Sequence, residues 1–148
     1  MPFQTLTELY FDNKVQVIPS GAISFFSYLD QLEQQINTPG LINLDDSDIL
    51  TIIAGAERIT IFGIAQTGED KINKVCKKIR DSLPEELAKK AAGAFFHVIG
   101  DPEITLYDVN EVAETIFNYL NADAEIIFGA AVDQAADGSI KVLLLLAE

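Results

Sequence analysis

Apolar runs of strand length, separated by segments with helical spacing, constrain the fold of this chain most strongly. The longest run, VLLLLA at 142–147, is far shorter than the ~20 residues with which a helix crosses a bilayer. We therefore interpret it as part of a buried strand, SIKVLLLLA. The same reasoning predicts four more strands, at KVQVIP (14–19), RITIFGIAQ (58–66), AFFHVIG (94–100) and AEIIFGAAV (124–132).

The segments between these strands show the three- and four-residue apolar steps of amphipathic helices. Helices are predicted from Ala22 to Asn37, Asp46 to Ile53, around Ile72 to Ile79, and Leu106 to Leu120, with a short one at PEELAKKA. Thr67 with Asp70, and Thr105 with Asp108, have the spacing of capping boxes. DQAADG, with Asp-Gly near its end, predicts an antiparallel hairpin between the last two strands.

This order of elements predicts one α/β domain rather than several. Residues 1–12 show no clear period, so residues 1–20 are set apart as a segment of uncertain structure, and the domain is assigned to 21–148. A length of 148 residues with 49% hydrophobic side chains is enough for a sizeable core. We expect a two-layer domain in which helices pack on a mixed sheet of roughly four strands.

Charge and composition exclude several classes of function. The formal net charge of -13 would repel nucleic acids and anionic membranes. One Cys and one His make a zinc site improbable, and there is no basic segment followed by a long apolar core, as in a signal peptide. We therefore expect a cytoplasmic protein with no metal and no cofactor, whose partner is another protein.

Local motifs indicate no self-contained active site. TPGLINLDDSD (38–48) lacks the ligand spacing of an EF-hand, and on local grounds Asp45 or Asp46 caps a helix. FGIAQTGED lacks the glycine spacing of a phosphate loop. His97 within an apolar strand and Cys76 on a buried helix stripe are typical of structural residues. The chain is not expected to be an enzyme on its own.

Four stretches together, in order and at matching spacing, change this interpretation: TPGLINLDDSDI, FGIAQTGED, IGDPEITLYDVNEVAETI and AEIIFGAAVD with SIKVLLLLA. Over about residues 22–147 the chain resembles the C-terminal domain of FtsZ, the tubulin-like cell-division GTPase. The resemblance implies that α/β fold plus a remnant of the central helix. The GGGTGTG motif that marks the FtsZ nucleotide-binding domain is absent from these 148 residues, which implies no GTP hydrolysis by the chain alone.

The resemblance also assigns a role to the acidic stretch. In the family, a loop with the pattern Asn-x-Asp-x-x-Asp enters the nucleotide pocket of the next filament subunit, where its carboxylates help to position the attacking water. Asn43, Asp45 and Asp48 match this pattern and become candidates for catalysis in trans, and Asp46 is an additional acid. The implied partner-binding residues are Leu41, Asn43, Leu44, Asp45, Asp46 and Asp48. We predict that Asp45→Ala with Asp48→Ala leaves the fold intact.

Three hypotheses for function follow from the resemblance. The first is a non-GTPase module that binds or caps FtsZ-type filaments through this loop and so modulates cell division. The second is a self-associating homodimer, in which an apolar patch of Ile23, Phe25, Phe26 and Tyr28 is shared by two chains unless residues 1–20 fold over it. The third is half of a split GTPase, with a separate chain that supplies the nucleotide-binding domain.

Overall fold

A five-stranded mixed sheet forms the centre of the molecule. The computed structural model describes residues 2–18, 23–36 and 40–148. The strands are β1 (Val15–Val17), β2 (Ile59–Thr67), β3 (Gly93–Gly100), β4 (Glu125–Val132) and β5 (Ser139–Ala147), in the spatial order β1-β2-β5-β3-β4. β5 is antiparallel to both of its neighbours, whereas β1 with β2 and β3 with β4 are parallel pairs.

Helices cover both faces of the sheet. They are α1 (Pro2–Phe11), α2 (Phe25–Ile36), α3 (Asp46–Ile53), α4 (Lys71–Ser82), α5 (Glu85–Lys90) and α6 (Leu106–Tyr119). α1, α2 and α3 share one hydrophobic cluster with the sheet, and α4, α5 and α6 share another. Along β5, Leu143 and Leu145 belong to the first cluster and Val142 and Leu144 to the second, which explains its continuous apolar sequence.

The predicted mixed α/β fold is confirmed, with two differences in detail. The sheet has five strands instead of roughly four because Val15–Val17 pairs with β2. The sheet is also the middle of three layers instead of one of two. The fifth strand arises from the N-terminal segment, which supplies β1, and the third layer is formed by α1, α2 and α3 together. The sequence does not predict α1, because only Pro2 and Leu6 of its side chains are buried, which is too few for a helical stripe.

The predicted C-terminal hairpin is wrong. β3 lies between β4 and β5, so the 133–138 connection crosses the end of β3 instead of turning between neighbours. Asp133 N donates to Gly100 O at 2.8 Å. The buried carboxylate of Asp101 accepts from Gly138 N at 3.0 Å and from Lys71 Nζ at 3.1 Å, and these bonds hold the connection against the end of β3.

Capping boxes form at the starts of α3 and α6. Thr105 and Asp108 form the predicted box of α6, with both bonds at 3.1 Å. The box predicted for α4 is wrong, because Thr67 still belongs to β2 and the Asp70 side chain makes no cap bond. Its carboxylate instead accepts from Asn73 Nδ2 at 2.8 Å.

Among the described residues, no helix is long and apolar enough to span a membrane.

Candidate functional site

The acidic loop, which we define as residues 40–48, is attached to the outer edge of β4. Ile42 and Ala130 form an antiparallel bridge in which each amide donates to the other residue's carbonyl, at 3.0 and 2.8 Å. Asn43 Oδ1 accepts a hydrogen bond from Gly40 N at 2.8 Å. The loop therefore has a fixed path from the sheet edge to the start of α3.

Asp45 and Asp48 form a capping box at the start of α3. Asp45 Oδ1 accepts from Asp48 N at 3.0 Å and from Ser47 Oγ at 2.6 Å, and Asp48 Oδ2 accepts from Asp45 N at 3.0 Å. The Ser47 hydroxyl, followed by the Asp48 amide, lowers the pKa of Asp45 below its ordinary value. Asp45 is therefore ionised at neutral pH, and the local expectation of a helix cap is confirmed for this residue.

Most of the predicted partner-binding residues reach the surface. Leu41 is 42% exposed, Asn43 and Asp45 are exposed, and Asp46 and Asp48 are half-buried. Leu44 is the exception, since it is 5% exposed and belongs to the core cluster beneath α3. The structure thus gathers five of the six side chains on one accessible loop and uses the sixth as its anchor.

Two residues that sequence reasoning did not assign to the site support this anchor. A Cβ built on Gly129 would lie 2.8 Å from Leu44 Cγ and 2.8 Å from His97 Nδ1, so both side chains lie directly over bare backbone. His97 is 2% exposed, and neither ring nitrogen has a partner in the described part of the chain. Burial lowers the pKa of His97 to about 4. The available sequence signal was a glycine within a strand pattern.

Most of the predicted dimer patch is buried within the chain. Phe25 is 3% exposed, Tyr28 is fully buried and Ile23 is half-buried. α1 covers Phe25, since the Tyr10 ring stacks on it at a centroid distance of 4.2 Å and an interplanar angle of 7°. Ile23 packs instead over Gly63 of β2, where an added Cβ would lie 2.9 Å from Ile23 Cδ1. Phe26, at 52% exposed, is the one member of the four that stays open.

The described residues form no metal-binding cluster, and their one cysteine is buried. Within 2–18, 23–36 and 40–148, no three His, Cys, Asp or Glu side chains are grouped so that they could hold a metal ion. The Cys76 thiol is buried, and this burial raises its pKa above the ordinary value. The acidic loop stays the candidate site, because it carries three carboxylates within four residues.

The fold of this chain is shared with solved FtsZ and TubZ structures. The TubZ structure of Bacillus thuringiensis serovar israelensis, described as GDP-form protofilaments, superposes with a TM-score of 0.63 at 15% identity, covering 80% of this chain and 34% of that one. A structure described as an empty FtsZ dimer from Methanocaldococcus jannaschii gives a TM-score of 0.70 at 22% identity, covering 99% and 48%.

The sequence identifies the family of the chain. The model of the FtsZ family, C-terminal domain, matches residues 49–148, and the chain belongs to that family. FtsZ of Caulobacter vibrioides is 36% identical over 106 residues, which are 70% of this chain and 21% of that protein. Cell division protein FtsZ 2 of M. jannaschii is 28% identical over 120 residues, 78% and 31% respectively. The chain thus spans about a third or less of the length of these relatives.

A double substitution measures how much the capping box of Asp45 and Asp48 contributes to the stability of the fold. Asp45→Ala with Asp48→Ala is expected to keep the native far-UV circular dichroism and to lower the Tm by roughly 2–4 °C, since one cap is lost and the core is unchanged. Thr105→Ala with Asp108→Ala is the matched control, because it removes an equivalent box from α6. An unfolded Asp45/Asp48 variant beside a folded control would show that these acids serve mainly to build the loop.

Proposed function

We propose that this domain is a protein-interaction module of the cytoplasm that docks its acidic loop on an FtsZ-type GTPase subunit. It would cap a filament end and so modulate cell division, since these 148 residues contain no GGGTGTG motif for the nucleotide face that a following subunit needs. By itself the domain does not hydrolyse GTP. The observation that carries the proposal is the preformed, accessible loop with Asn43, Asp45 and Asp48 in the family's pattern on a chain of the FtsZ family.

The hydrogen bonding of the loop suits it for this contact. Asp45 accepts its capping-box bond at Oδ1 and Asp48 accepts at Oδ2, and both carboxylates lie on the accessible loop. Since the loop is already fixed by its own bonds, little conformational entropy is lost when it binds. Ionised, oriented carboxylates can position a water for in-line attack on a phosphate held by the partner.

Charge sets a condition on this docking. Asp45, Asp46 and Asp48 would approach an anionic nucleotide, and the chain as a whole carries a formal charge of -13. Coulomb repulsion at this contact has to be offset by basic side chains of the partner or by a bridging divalent cation. We therefore expect docking to weaken when Mg²⁺ is withheld. Binding of the domain to a GDP-loaded partner, measured with and without Mg²⁺, tests this.

Titration into polymerising FtsZ tests the proposal, with the Caulobacter vibrioides relative as the partner. At a substoichiometric ratio, the domain is expected to lower the polymer mass in sedimentation and to change GTP turnover, because a cap acts on filament ends. The informative variant is Asp45→Ser, which keeps a side-chain oxygen for the cap but removes the charge. It should lose most of the effect on polymer mass while its Tm stays near that of the wild type.

Asp123→Asn is the matched control, because it removes one exposed charge from the turn before β4, far along the chain from the acidic loop. This variant should act on FtsZ like the wild-type domain. If polymer mass and GTP turnover stay unchanged at every ratio of wild-type domain to FtsZ, docking through the loop is rejected. If Asp123→Asn is as inactive as Asp45→Ser, the effect depends on total charge instead of the loop.

A further inference from the structure

The sheet edge opposite the acidic loop has unpaired backbone groups. β1 pairs only with β2, and the bonds from Ile59 N to Lys14 O and from Ile18 N to Ile61 O fix which residues face β2. Because alternate residues of a strand face opposite sides, Gln16 bonds toward β2 while Val15 and Val17 direct N–H and C=O outward. No other segment among residues 2–18, 23–36 and 40–148 pairs with these four groups.

One face of this edge is also uncovered by helices. α4 packs over β2 and β5, so β1 projects beyond it and leaves a groove. The groove is bounded by Gln16 and Ile18 on the strand and by Lys78, Asp81 and Leu87 on the helical side. Half-buried Leu87 supplies apolar surface, and the two exposed charges have opposite signs. An added strand would therefore meet both open backbone groups and a partly apolar groove.

We propose that β1 is a self-association edge, on which the β1 strand of a second copy of this chain pairs antiparallel about a two-fold axis at Gln16. In this register Val15 of each copy lies opposite Val17 of the other, so all four outward groups on each chain find partners in two hydrogen-bonded pairs. The two five-stranded sheets would join as one continuous sheet, by the strand-addition mode of recognition.

Charge favours a second copy at this place over other parts of the surface. The net charge of -13 makes two copies repel each other. In the groove beside this edge the charged side chains are Lys78 and Asp81, one of each sign, so the acidic excess of the whole chain is absent here. Lys78 and Asp81 place both signs in one patch, which a two-fold axis makes self-complementary. The acidic loops, attached at β4, remain free.

Sedimentation velocity of the full chain over a concentration series tests the inference. The wild type is expected to approach twice the monomer mass of 16.2 kDa. Val17→Pro removes one outward N–H without touching the bonds between β1 and β2, since proline is tolerated on an edge strand whose N–H faces outward, and should stay monomeric throughout. Val17→Thr keeps the N–H and should dimerise like the wild type.

A wild type that stays at 16.2 kDa at all concentrations overturns the inference, as does a Val17→Pro variant that still dimerises. If Val17→Pro loses its native circular dichroism, amide hydrogen exchange of the wild type decides. The Val15 and Val17 amides should then become protected as concentration rises, and unchanged exchange overturns the inference. Because the loop lies at the other edge, activity of the domain on FtsZ is a separate readout that this failure would not alter.

Discussion

Replacing His97 with leucine is expected to remove a fall in stability that the wild type shows between pH 6.5 and pH 4. His97 is buried with no hydrogen-bond partner within the described ranges, and its pKa is lowered from 6.5 to about 4 in the folded chain. The unfolded chain therefore takes up a proton in this window and the folded chain does not, so stability falls as the pH falls. At pH 7.5 both states are neutral and the residue contributes no pH dependence.

The shift of His97 from 6.5 to about 4 corresponds to roughly 2 kcal/mol of lost unfolding free energy by pH 5 and about 3 kcal/mol near pH 4. Urea unfolding at pH 7.5 and pH 5 measures the difference, and His97→Leu should show little of it. Asp45 and Asp101, whose pKa values are lowered, affect stability in a different pH range. Their stabilising contributions are lost only as the pH falls below about 3.8.

The sequence contains one histidine, which makes this prediction directly observable by NMR. The C2 proton of His97 should titrate near pH 4 in the folded protein. A midpoint near 6.5 would show that the ring is hydrated and would contradict the buried, unpaired environment. Equal losses of stability in the wild type and in His97→Leu would assign the pH dependence to carboxylates instead.

The elements predicted well from sequence are those whose burial is encoded locally. β5 is buried on both faces, so its apolar run leaves no alternative to a strand, and predicted and observed bounds agree at 139–147. α6 has a four-membered buried stripe and a capping box, both of which are visible in the sequence. In each case a short window contains the physical cause, since hydrophobic periodicity and capping are short-range effects.

The elements predicted poorly depend on contacts that a local window does not contain. The DQAADG connection has turn residues that suit a hairpin, yet β3 pairs with both β4 and β5, and strand order is a long-range property. α1 becomes recognisable only where Tyr10 meets Phe25. At the candidate site, the resemblance supplied the acidic residues, but the contact of Leu44 and His97 over Gly129 required the folded sheet.

Gly129→Ala is expected to displace the acidic loop. The new Cβ would lie 2.8 Å from Leu44 Cγ, 2.8 Å from His97 Nδ1 and 3.0 Å from Ile42 O. Leu44 Cγ and the Ile42 carbonyl are not free ends of flexible side chains, so the strain is relieved by moving the loop away from β4. Overpacking of this kind costs about 1–3 kcal/mol of stability, and it should loosen the bridge between Ile42 and Ala130.

Amide hydrogen exchange measures this directly, because the Ile42 and Ala130 amides are protected only while the bridge is closed. Both should exchange faster in Gly129→Ala. Gly93→Ala is the matched control, since its Cβ would meet nothing closer than Ile52 Cγ2 at 3.4 Å, and the bridge should stay protected. Unchanged exchange in Gly129→Ala would mean that Leu44 yields without moving the loop backbone. That result would contradict the role of Leu44 as the anchor of the acidic loop.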